Sequence, residues 1–313
     1  MKIYLAPLQE YTEYSYRNAI HKHLNYFDKY FIPYISYPKG DKLKNRQKRD
    51  IEIVNNQFDH IVPQILAANK EEVEYLLPFL EEYNEVNINF GCPYPMVTKR
   101  GRGCGIYQDL EKAKEVIETT LNNFKGKVSV KLRSGLKSHD SWVKMIELLN
   151  QYNLEEIIIH PRTASQLYKG EPEYSYLSDL IDLSTNPVVY NGDIMTIADY
   201  NHLIEQYPNL SGVMLGRGAL TDIYLAQRIK EKRTTESLTT LIEIHNEVFE
   251  EVRKQTEIER QVIQKMERFW DYFSHHFENE RKVYKNFKKS KNQLDYNTAL
   301  SFAKRQGIKK RES

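Results

Sequence analysis

The sequence predicts an α/β protein, a (β/α)8 (TIM) barrel followed by a smaller all-helical C-terminal domain, and three observations carry this prediction. Short apolar runs alternate with longer amphipathic segments over about the first 220 residues. Eight of the apolar runs are strand candidates, and this many β/α units in such a length fit a closed barrel better than an open sheet. Beyond about residue 234 the strand-like runs stop and apolar residues recur at helical spacing.

The predicted strands are short, apolar and mostly rich in β-branched residues. Pro63, inside the third of them, favours an irregular or edge position because proline cannot donate to the ladder. The strands are predicted at residues 3–5, 30–37, 61–66, 86–90, 128–133, 156–160, 187–190 and 212–215.

The helices between these strands have identifiable starting residues. Asn69, Asp109 and Thr196 are side chains that accept a hydrogen bond from the first helical turn, so each is a predicted N-cap. Residues 50–55 fit either type of element. The helices are predicted at residues 12–24, 69–82, 109–124, 141–152, 174–183 and 196–207.

The change of pattern predicts two domains, a catalytic barrel at residues 1–234 and a helical domain at residues 235–313. Between residues 238 and 277 apolar side chains recur mostly at spacings of three, four or seven, which is the core-facing stripe of packed helices. The stretch TTE at residues 234–236 is the predicted boundary.

Composition excludes several classes of protein. The chain has 313 residues, of which 40% are hydrophobic and 28% charged. No run of about 18 apolar residues is present, so we expect no membrane span. Residues 1–7 enter a strand-like run at once, which leaves no room for a signal peptide. The two cysteines lack a companion His/Cys pair, so we expect no metal site. Only two cysteines and no export signal indicate a reducing, cytoplasmic location.

The net charge of +2 hides an uneven distribution. Residues 281–313 carry 11 Lys/Arg and 2 Asp/Glu, whereas the rest of the chain has more acidic than basic side chains. A basic end on a mildly acidic body indicates a polyanionic partner, and a solvated tail without a partner is the alternative.

Both cysteines lie in one segment, NINFGCP at residues 87–93 followed by KRGRGCG at residues 99–105. Cys92 directly follows a predicted strand, where an α/β barrel holds its reactive groups. A free cysteine is more often a small buried apolar residue, so this position alone leaves a structural and a catalytic role open.

Polar residues follow most of the predicted strands and therefore meet at one mouth of the barrel. Glycine-bearing turns, NGD at residues 191–193 and GRG at residues 216–218, follow the last two strands, and such turns expose backbone N–H groups to a phosphate. A phosphate site with interior polar side chains suits flavin mononucleotide (FMN), whose anionic reduced form Lys131 would stabilise. The predicted cofactor-binding residues are Pro7, Leu8, Gln9, Gln64, Lys131, His160, Asn191, Gly192, Asp193, Gly216 and Arg217.

In these segments the chain resembles the tRNA-dihydrouridine synthases, a family of flavin enzymes with a barrel and a helical C-terminal domain. The resemblance covers about residues 1–220 in order, with departures at Leu8, Gln9 and Cys104. The matching segments are APL at 6–8 with Thr12 and Arg17, PQI at 63–65, NINFGCP at 87–93 with Val97 and GRG at 101–103, VKLRSG at 130–135, HPRT at 160–163, YNGDI at 190–194 and GVMLGRGA at 212–219.

The resemblance implies an oxidoreductase that reduces the 5,6 double bond of uridines in tRNA. Reduced FMN would deliver hydride to carbon 6, Cys92 would protonate carbon 5 as general acid, and NADPH would supply the electrons. Asn89 and Arg162 are the predicted substrate-binding residues of the barrel, with Lys131 and His160 also near the uracil carbonyls. We expect a cytoplasmic enzyme that acts as a monomer.

The basic C-terminal segment then acquires a predicted role in binding tRNA. Tyr284 and Phe287 lie between its lysines and are expected to stack on bases. The lysines expected to contact phosphates are Lys282, Lys285, Lys288 and Lys289.

Three alternatives stay open from the sequence alone. The substrate is ribosomal RNA in the first. A free pyrimidine is the substrate in the second, as for a dihydroorotate dehydrogenase-like barrel, although the basic domain counts against it. In the third the barrel is a non-catalytic scaffold that binds RNA, and the presence of Cys92, Lys131 and His160 counts against that.

Overall fold

The computed structural model describes residues 1–38, 42–56, 58–232 and 236–311. The predicted domain boundary between residues 234 and 235 lies outside these described residues. Eight parallel strands close into a barrel in chain order, which confirms the predicted fold class. The strands are β1 (Lys2–Leu5), β2 (Lys29–Ser36), β3 (Ile61–Leu66), β4 (Glu85–Phe90), β5 (Lys127–Gly135), β6 (Ile157–Thr163), β7 (Val188–Asn191) and β8 (Gly212–Leu215).

Two details of the strands differ from the sequence-based expectation. Strand β6 continues to Thr163, so Arg162 lies within the strand instead of after it. Pro63 pairs with Ile32 in a barrel that has no edge strand, and the pairing register shifts between Ile32 and Ile35. The irregularity expected at Pro63 therefore falls in the neighbouring strand, as a bulge in β2.

The predicted helices are also present, shorter by a few residues at their ends. Asn69 and Asp109 cap their helices, since each side chain accepts a hydrogen bond from a backbone N–H three residues on. The helices are α1 (Tyr14–Leu24), α2 (Asn45–Ile51), α3 (Lys70–Leu76), α4 (Pro95–Thr98), α5 (Leu110–Asn123), α6 (Trp142–Leu149), α7 (Leu177–Leu183), α8 (Ile197–Gln206), α9 (Arg217–Thr221), α10 (Leu225–Glu231), α11 (Leu238–Lys254), α12 (Glu259–Phe273), α13 (Glu280–Lys289) and α14 (Gln293–Lys304).

The chain forms two compact units. The first contains all eight strands and consists of Met1–Pro7, Asp28–Asp193 and His202–Leu215. The second consists of Leu8–Phe27, Ile194–Asn201 and Gly216–Ser313, and its C-terminal part from α9 onward is helical. None of the helices among the described residues is long and apolar enough to cross a membrane.

Inside the first unit, the amino-terminal end of the barrel holds a buried ion cluster. The Lys29 ammonium lies 2.6 Å from a carboxylate oxygen of Glu85 and 2.9 Å from one of Glu156. The Tyr4 hydroxyl donates to Glu156 at 2.6 Å. Burial alone would lower the pKa of Lys29, but the two carboxylates raise it overall, so the lysine stays charged.

In the second unit, α13 has one buried and one exposed face. Val283 and Phe287 point into the helical core, where Phe287 stacks on Trp270 with ring centroids 3.7 Å apart. Trp270 in turn donates to the Tyr296 hydroxyl at 2.9 Å. Phe287 is therefore not available to stack on RNA bases, and that expectation is wrong.

Candidate active site

Cys92 lies two residues after β4, at the carboxyl-terminal end of the barrel strands, and is 6% exposed. The side-chain oxygen of Asn89 accepts hydrogen bonds from the backbone N–H groups of Gly91 and Cys92, at 3.0 and 2.8 Å. Asn89 thus folds the chain back over the end of its own strand. This turn therefore fixes the position of the Cys92 backbone, from which the thiol side chain projects.

The thiol of Cys92 lies close to one tyrosine hydroxyl. Its sulfur lies 3.9 Å from the hydroxyl of Tyr34, on β2. Burial raises the pKa of Cys92 above its ordinary value, against the opposing effects of nearby hydrogen bonds and the positive charges of Arg133 and Lys131. A protonated thiol at neutral pH is a proton donor rather than a nucleophile.

The glycine-rich loop packs directly against Cys92. The backbone N–H of Cys104 donates to the Cys92 carbonyl at 3.0 Å. Gly103 has φ +55°, and a Cβ there would lie 2.6 Å from that carbonyl oxygen and 2.8 Å from the Cys92 Cβ. Only glycine fits both the backbone conformation and the close approach.

We expect Gly103→Ala to displace Cys92 and to cost about 2 kcal/mol of unfolding free energy, because a positive φ and a backbone clash act together. Gly101→Ala is the matched control, since Gly101 has φ +71° but the nearest atom to its Cβ is 3.9 Å away. Chemical denaturation and turnover of both variants measure the difference. Equal effects of the two substitutions would show that the contact with Cys92 is unimportant.

Arg102 also stabilises this loop, because its guanidinium forms a bidentate ion pair with Glu72. The Nε and Nη2 atoms of Arg102 donate to the two carboxylate oxygens at 2.8 and 2.6 Å. Both side chains are largely buried. Arg102 therefore anchors the loop to α3.

Lys131 lies on β5, beside Asn89 in the register of β4 and β5. The half-buried ammonium has no hydrogen bond or ion pair with any residue that the structure describes. Burial, with a smaller effect from Arg133, lowers the pKa of Lys131 to about 7. An unpaired cation of this kind is suited to an anionic ligand.

On β6, Arg162 holds His160 in place. A guanidinium nitrogen of Arg162 donates to His160 Nε2 at 3.2 Å, so a neutral His160 carries its proton on Nδ1. Arg162 also donates to Asp193 at 2.5 Å and to the Gly170 carbonyl at 2.6 Å. Arg162 is 1% exposed, and its Nε atom is buried without a hydrogen-bond partner among the described residues.

In the turn after β7, Gly192 packs closely against a tyrosine and a hydrogen bond holds the Asn191 side-chain amide. Asn191 ends the strand and donates to the Met214 carbonyl at 2.8 Å. A Cβ on Gly192 would lie 1.9 Å from the Tyr190 hydroxyl, so only glycine allows the chain to pass there. Gln64 on β3 is 1% exposed and hydrogen-bonded to Asn89 and Asn87.

The structure thus brings together the predicted site residues of the first unit. They lie within, end or directly follow the neighbouring strands β3 to β7. Pro7, which follows β1, is half-buried in the same unit. These residues are Gln64, Asn89, Cys92, Lys131, His160, Arg162, Asn191, Gly192 and Asp193.

The remaining predicted cofactor residues belong to the second unit, where each has a local role. The backbone N–H of Leu8 donates to the Thr12 hydroxyl at 2.8 Å, and Gln9 is half-exposed in the same turn. The Gly216 carbonyl accepts from the backbone N–H groups of Ala219 and Leu220 in α9, which begins at Arg217. Their part in binding FMN stays a prediction.

The predicted RNA-binding lysines all lie on the exposed face of α13, opposite Val283 and Phe287. The Lys282 ammonium lies 5.3 Å from the centre of the Phe302 ring, and that of Lys288 lies 5.7 Å from the Tyr284 ring. Lys285 and Lys289 are exposed as well. The helix therefore presents a basic surface without disturbing its packing.

Sequence reasoning missed three residues of this site, Tyr34, Asn87 and Ser129. Tyr34 lies in the bulge of β2, which breaks the alternation that would have shown which face it occupies. Asn87 and Ser129 are buried completely inside the barrel. Both are polar residues on otherwise apolar strands, and this pattern could have indicated a buried hydrogen-bond network, because buried polar groups need partners.

Comparison with protein-family models gives a match to the dihydrouridine synthase (Dus) family over residues 4–309. A Xenopus tropicalis protein named tRNA-dihydrouridine(47) synthase [NAD(P)(+)]-like is 31% identical over 150 residues, covering 47% of this chain and 23% of that protein. A probable tRNA-dihydrouridine synthase of Helicobacter pylori is 27% identical over 241 residues, covering 74% of this chain and 71% of the relative.

Solved structures with a similar fold include morphinone reductase, with a TM-score of 0.52, 9% identity and coverage of 76% of this chain and 88% of that one. An old yellow enzyme homologue from Zymomonas mobilis has a TM-score of 0.53 and 11% identity, covering 76% and 91%. At this level of identity the likeness concerns the barrel fold. No cluster of metal-binding side chains occurs among the residues described.

Proposed function

The chain belongs to the dihydrouridine synthase family, and we propose that it reduces the 5,6 double bond of specific uridines in tRNA, with Cys92 as the proton donor. The observation that carries this proposal is the pairing of a buried, protonated thiol with an unpartnered lysine at the same end of the barrel. Reduction of a carbon–carbon double bond adds a hydride to one carbon and a proton to the other. Cys92 supplies the proton and becomes a thiolate.

FMN fits the residues of the barrel. When bound, FMN would supply the hydride for the double bond, and a nicotinamide, for which we propose NADPH, would supply the electrons. Lys131 offers an unpaired positive charge, and the buried Arg162 Nε lacks a hydrogen-bond partner among the described residues. An unpaired cation and an unused buried donor both suit an anionic cofactor. Gln64, His160, Asn191, Gly192 and Asp193 complete the proposed set, together with Pro7, Leu8, Gln9, Gly216 and Arg217.

The substrate uracil is held by Asn89 and Arg162 in this proposal. The Asn89 amide uses its oxygen and one N–H within the protein, which leaves its second N–H for a base edge. Arg162 is buried and also donates to His160, so it fixes the position of that side chain as well. A uridine has to leave its stack to reach residues buried this deeply.

We propose that residues 235–313 form the RNA-binding domain and that α13 contacts the phosphates of tRNA. Neutralising three exposed lysines as K285Q/K288Q/K289Q should weaken tRNA binding and reduce the slope of log affinity against log salt by about 2, since each phosphate contact releases a counterion. The measurement is a salt titration of tRNA binding.

The matched control is K112Q/K125Q/K137Q, three exposed lysines of the first unit. The control should keep the wild-type slope. An unchanged slope in the α13 variant, or an equal loss in the control, would contradict the assignment of α13.

Mapping dihydrouridine in RNA from cells with and without the gene tests the proposed function directly. Loss of dihydrouridine at defined tRNA positions is the expected result. Loss in ribosomal RNA would identify a different RNA substrate, and unchanged RNA together with reduction of a free pyrimidine by the purified protein would make it a small-molecule enzyme. We place the activity in the cytoplasm, and we propose that the enzyme acts as a monomer.

A further inference from the structure

An unbroken series of side-chain hydrogen bonds leads away from the Cys92 turn into the barrel. Asn89 accepts from the Gly91 and Cys92 N–H groups at 3.0 and 2.8 Å and donates to the Gln64 oxygen at 2.6 Å. The Gln64 nitrogen then donates to the Asn87 oxygen at 2.7 Å. The backbone of the proposed proton donor is thus tied to the middle of the barrel.

The series continues to the opposite end of the strands. Asn87 donates to the Ser129 hydroxyl at 2.9 Å, and Ser129 donates to a carboxylate oxygen of Glu85 at 2.9 Å. Lys29 holds that carboxylate at 2.6 Å. Asn87 and Ser129 are fully buried and Glu85 is 6% exposed, so water does not compete with these bonds.

The chemistry of the two ends fixes the direction of every bond between them. Backbone N–H groups can only donate, and a carboxylate paired with Lys29 can only accept. Each amide therefore has to present its oxygen toward Cys92 and its nitrogen toward Glu85. Turning any single amide over would place two donors or two acceptors face to face in a buried site, at the cost of an unsatisfied polar group.

From this arrangement we propose that Asn87, Ser129 and Glu85 are positioning residues for Cys92, which act through Gln64 and Asn89 to hold the turn that carries the thiol. The inference rests on the proposed role of Cys92 as proton donor. The two ends of the series lie at opposite ends of β4, so the amino-terminal ion cluster of the barrel contributes to the geometry of the active site. Hydrogen bonds in a series strengthen one another, so the Asn89 amide is held more rigidly than its own contacts alone would hold it.

Asn87→Leu is the main test, because leucine keeps a similar volume and removes both bonds of the central link. Dihydrouridine formation should fall about tenfold in kcat, with the KM for tRNA unchanged, since misplacing a reacting group affects the chemical step. Asn186→Leu is the matched control, because Asn186 is also buried and bonds Leu154 and Leu149 outside the series.

A direct readout of the Cys92 turn uses the flavin-loaded protein labelled with 15N-cysteine. The chain has two cysteines, so the amide spectrum contains two peaks, and the Cys104→Ala variant identifies the one from Cys92. In Asn87→Leu the Cys92 peak should shift and its amide should exchange with solvent at least about tenfold faster, which reports the loosened bond to Asn89. Asn186→Leu should leave both properties unchanged.

Ser129 provides an independent pair if Asn87→Leu does not fold. Ser129→Ala removes the donor to Glu85 and should shift the Cys92 peak by a smaller amount, whereas Ser129→Thr keeps the hydroxyl and should restore it. A Cys92 peak and exchange rate at wild-type values in the folded Asn87 or Ser129→Ala variants would overturn the inference. That outcome leaves the proposed function intact if the wild-type protein forms dihydrouridine, and absence of dihydrouridine from the wild-type protein would reject the function instead.

Discussion

Replacing Cys92 by alanine should reduce dihydrouridine formation by about 100- to 10,000-fold, the range that a positioned general acid contributes. The bound flavin should be retained, because in this proposal the thiol serves the base and not the cofactor. Cys92→Ser should not restore activity, since a serine hydroxyl holds its proton far more tightly than a thiol. Single-turnover reaction of the reduced enzyme with tRNA separates this step from flavin reduction.

Cys104→Ala is the control for this prediction. Cys104 is fully buried, so its thiol cannot contact a substrate, and burial raises its pKa to about 12, which makes its proton much harder to release. We expect it to keep most of the activity, with a loss of stability of about 1 kcal/mol for the shortened side chain. A large loss of activity in Cys104→Ala, with full activity in Cys92→Ala, would reverse the assignment of the two thiols.

Lys131→Met should have opposite effects on activity and stability. Without the positive charge, dihydrouridine formation should fall about a hundredfold, as when an electrostatic stabiliser is removed from an active site. The flavin-free protein should gain about 1 kcal/mol of unfolding free energy, because methionine avoids the cost of a half-buried charge that has no partner. Denaturant unfolding of the flavin-free wild type and variant measures the second effect.

The gain in stability should depend on pH in a defined direction. The pKa of Lys131 is about 7 in the folded protein and 10.5 ordinarily, so between these values the unfolded chain holds a proton that the folded chain has released. The loss of unfolding free energy that the buried Lys131 charge causes is therefore complete below about pH 7, and it disappears as the pH rises toward 10.5. A difference in unfolding free energy between wild type and Lys131→Met that stays constant from pH 6 to pH 10 would show that the lysine is not desolvated.

The barrel could be predicted because its signal repeats. Most strands are short apolar runs followed by an amphipathic helix, and Asn69 and Asp109 cap their helices as their positions indicated. The polar residues at strand ends were predictable for the same reason, since the topology of a parallel barrel places them together.

The contacts between those residues could not be predicted in the same way. The bond of Arg162 to His160 joins side chains two apart on one strand, but it depends on Asp193 and Gly170 to hold the guanidinium. Tyr34 reaches Cys92 only because of the bulge in β2. Phe287 lies among lysines in the sequence, and only the packing of Trp270 shows that it faces the core.

The two faces of α13 have different roles, because one face packs in the core and the other carries the lysines proposed to bind RNA. Val283 and Phe287 secure the helix, and the four lysines on its opposite face are exposed outside the core. The charges on this helix can therefore be changed while its packing stays constant. A library randomised at the four lysine positions should keep the stability of the wild type.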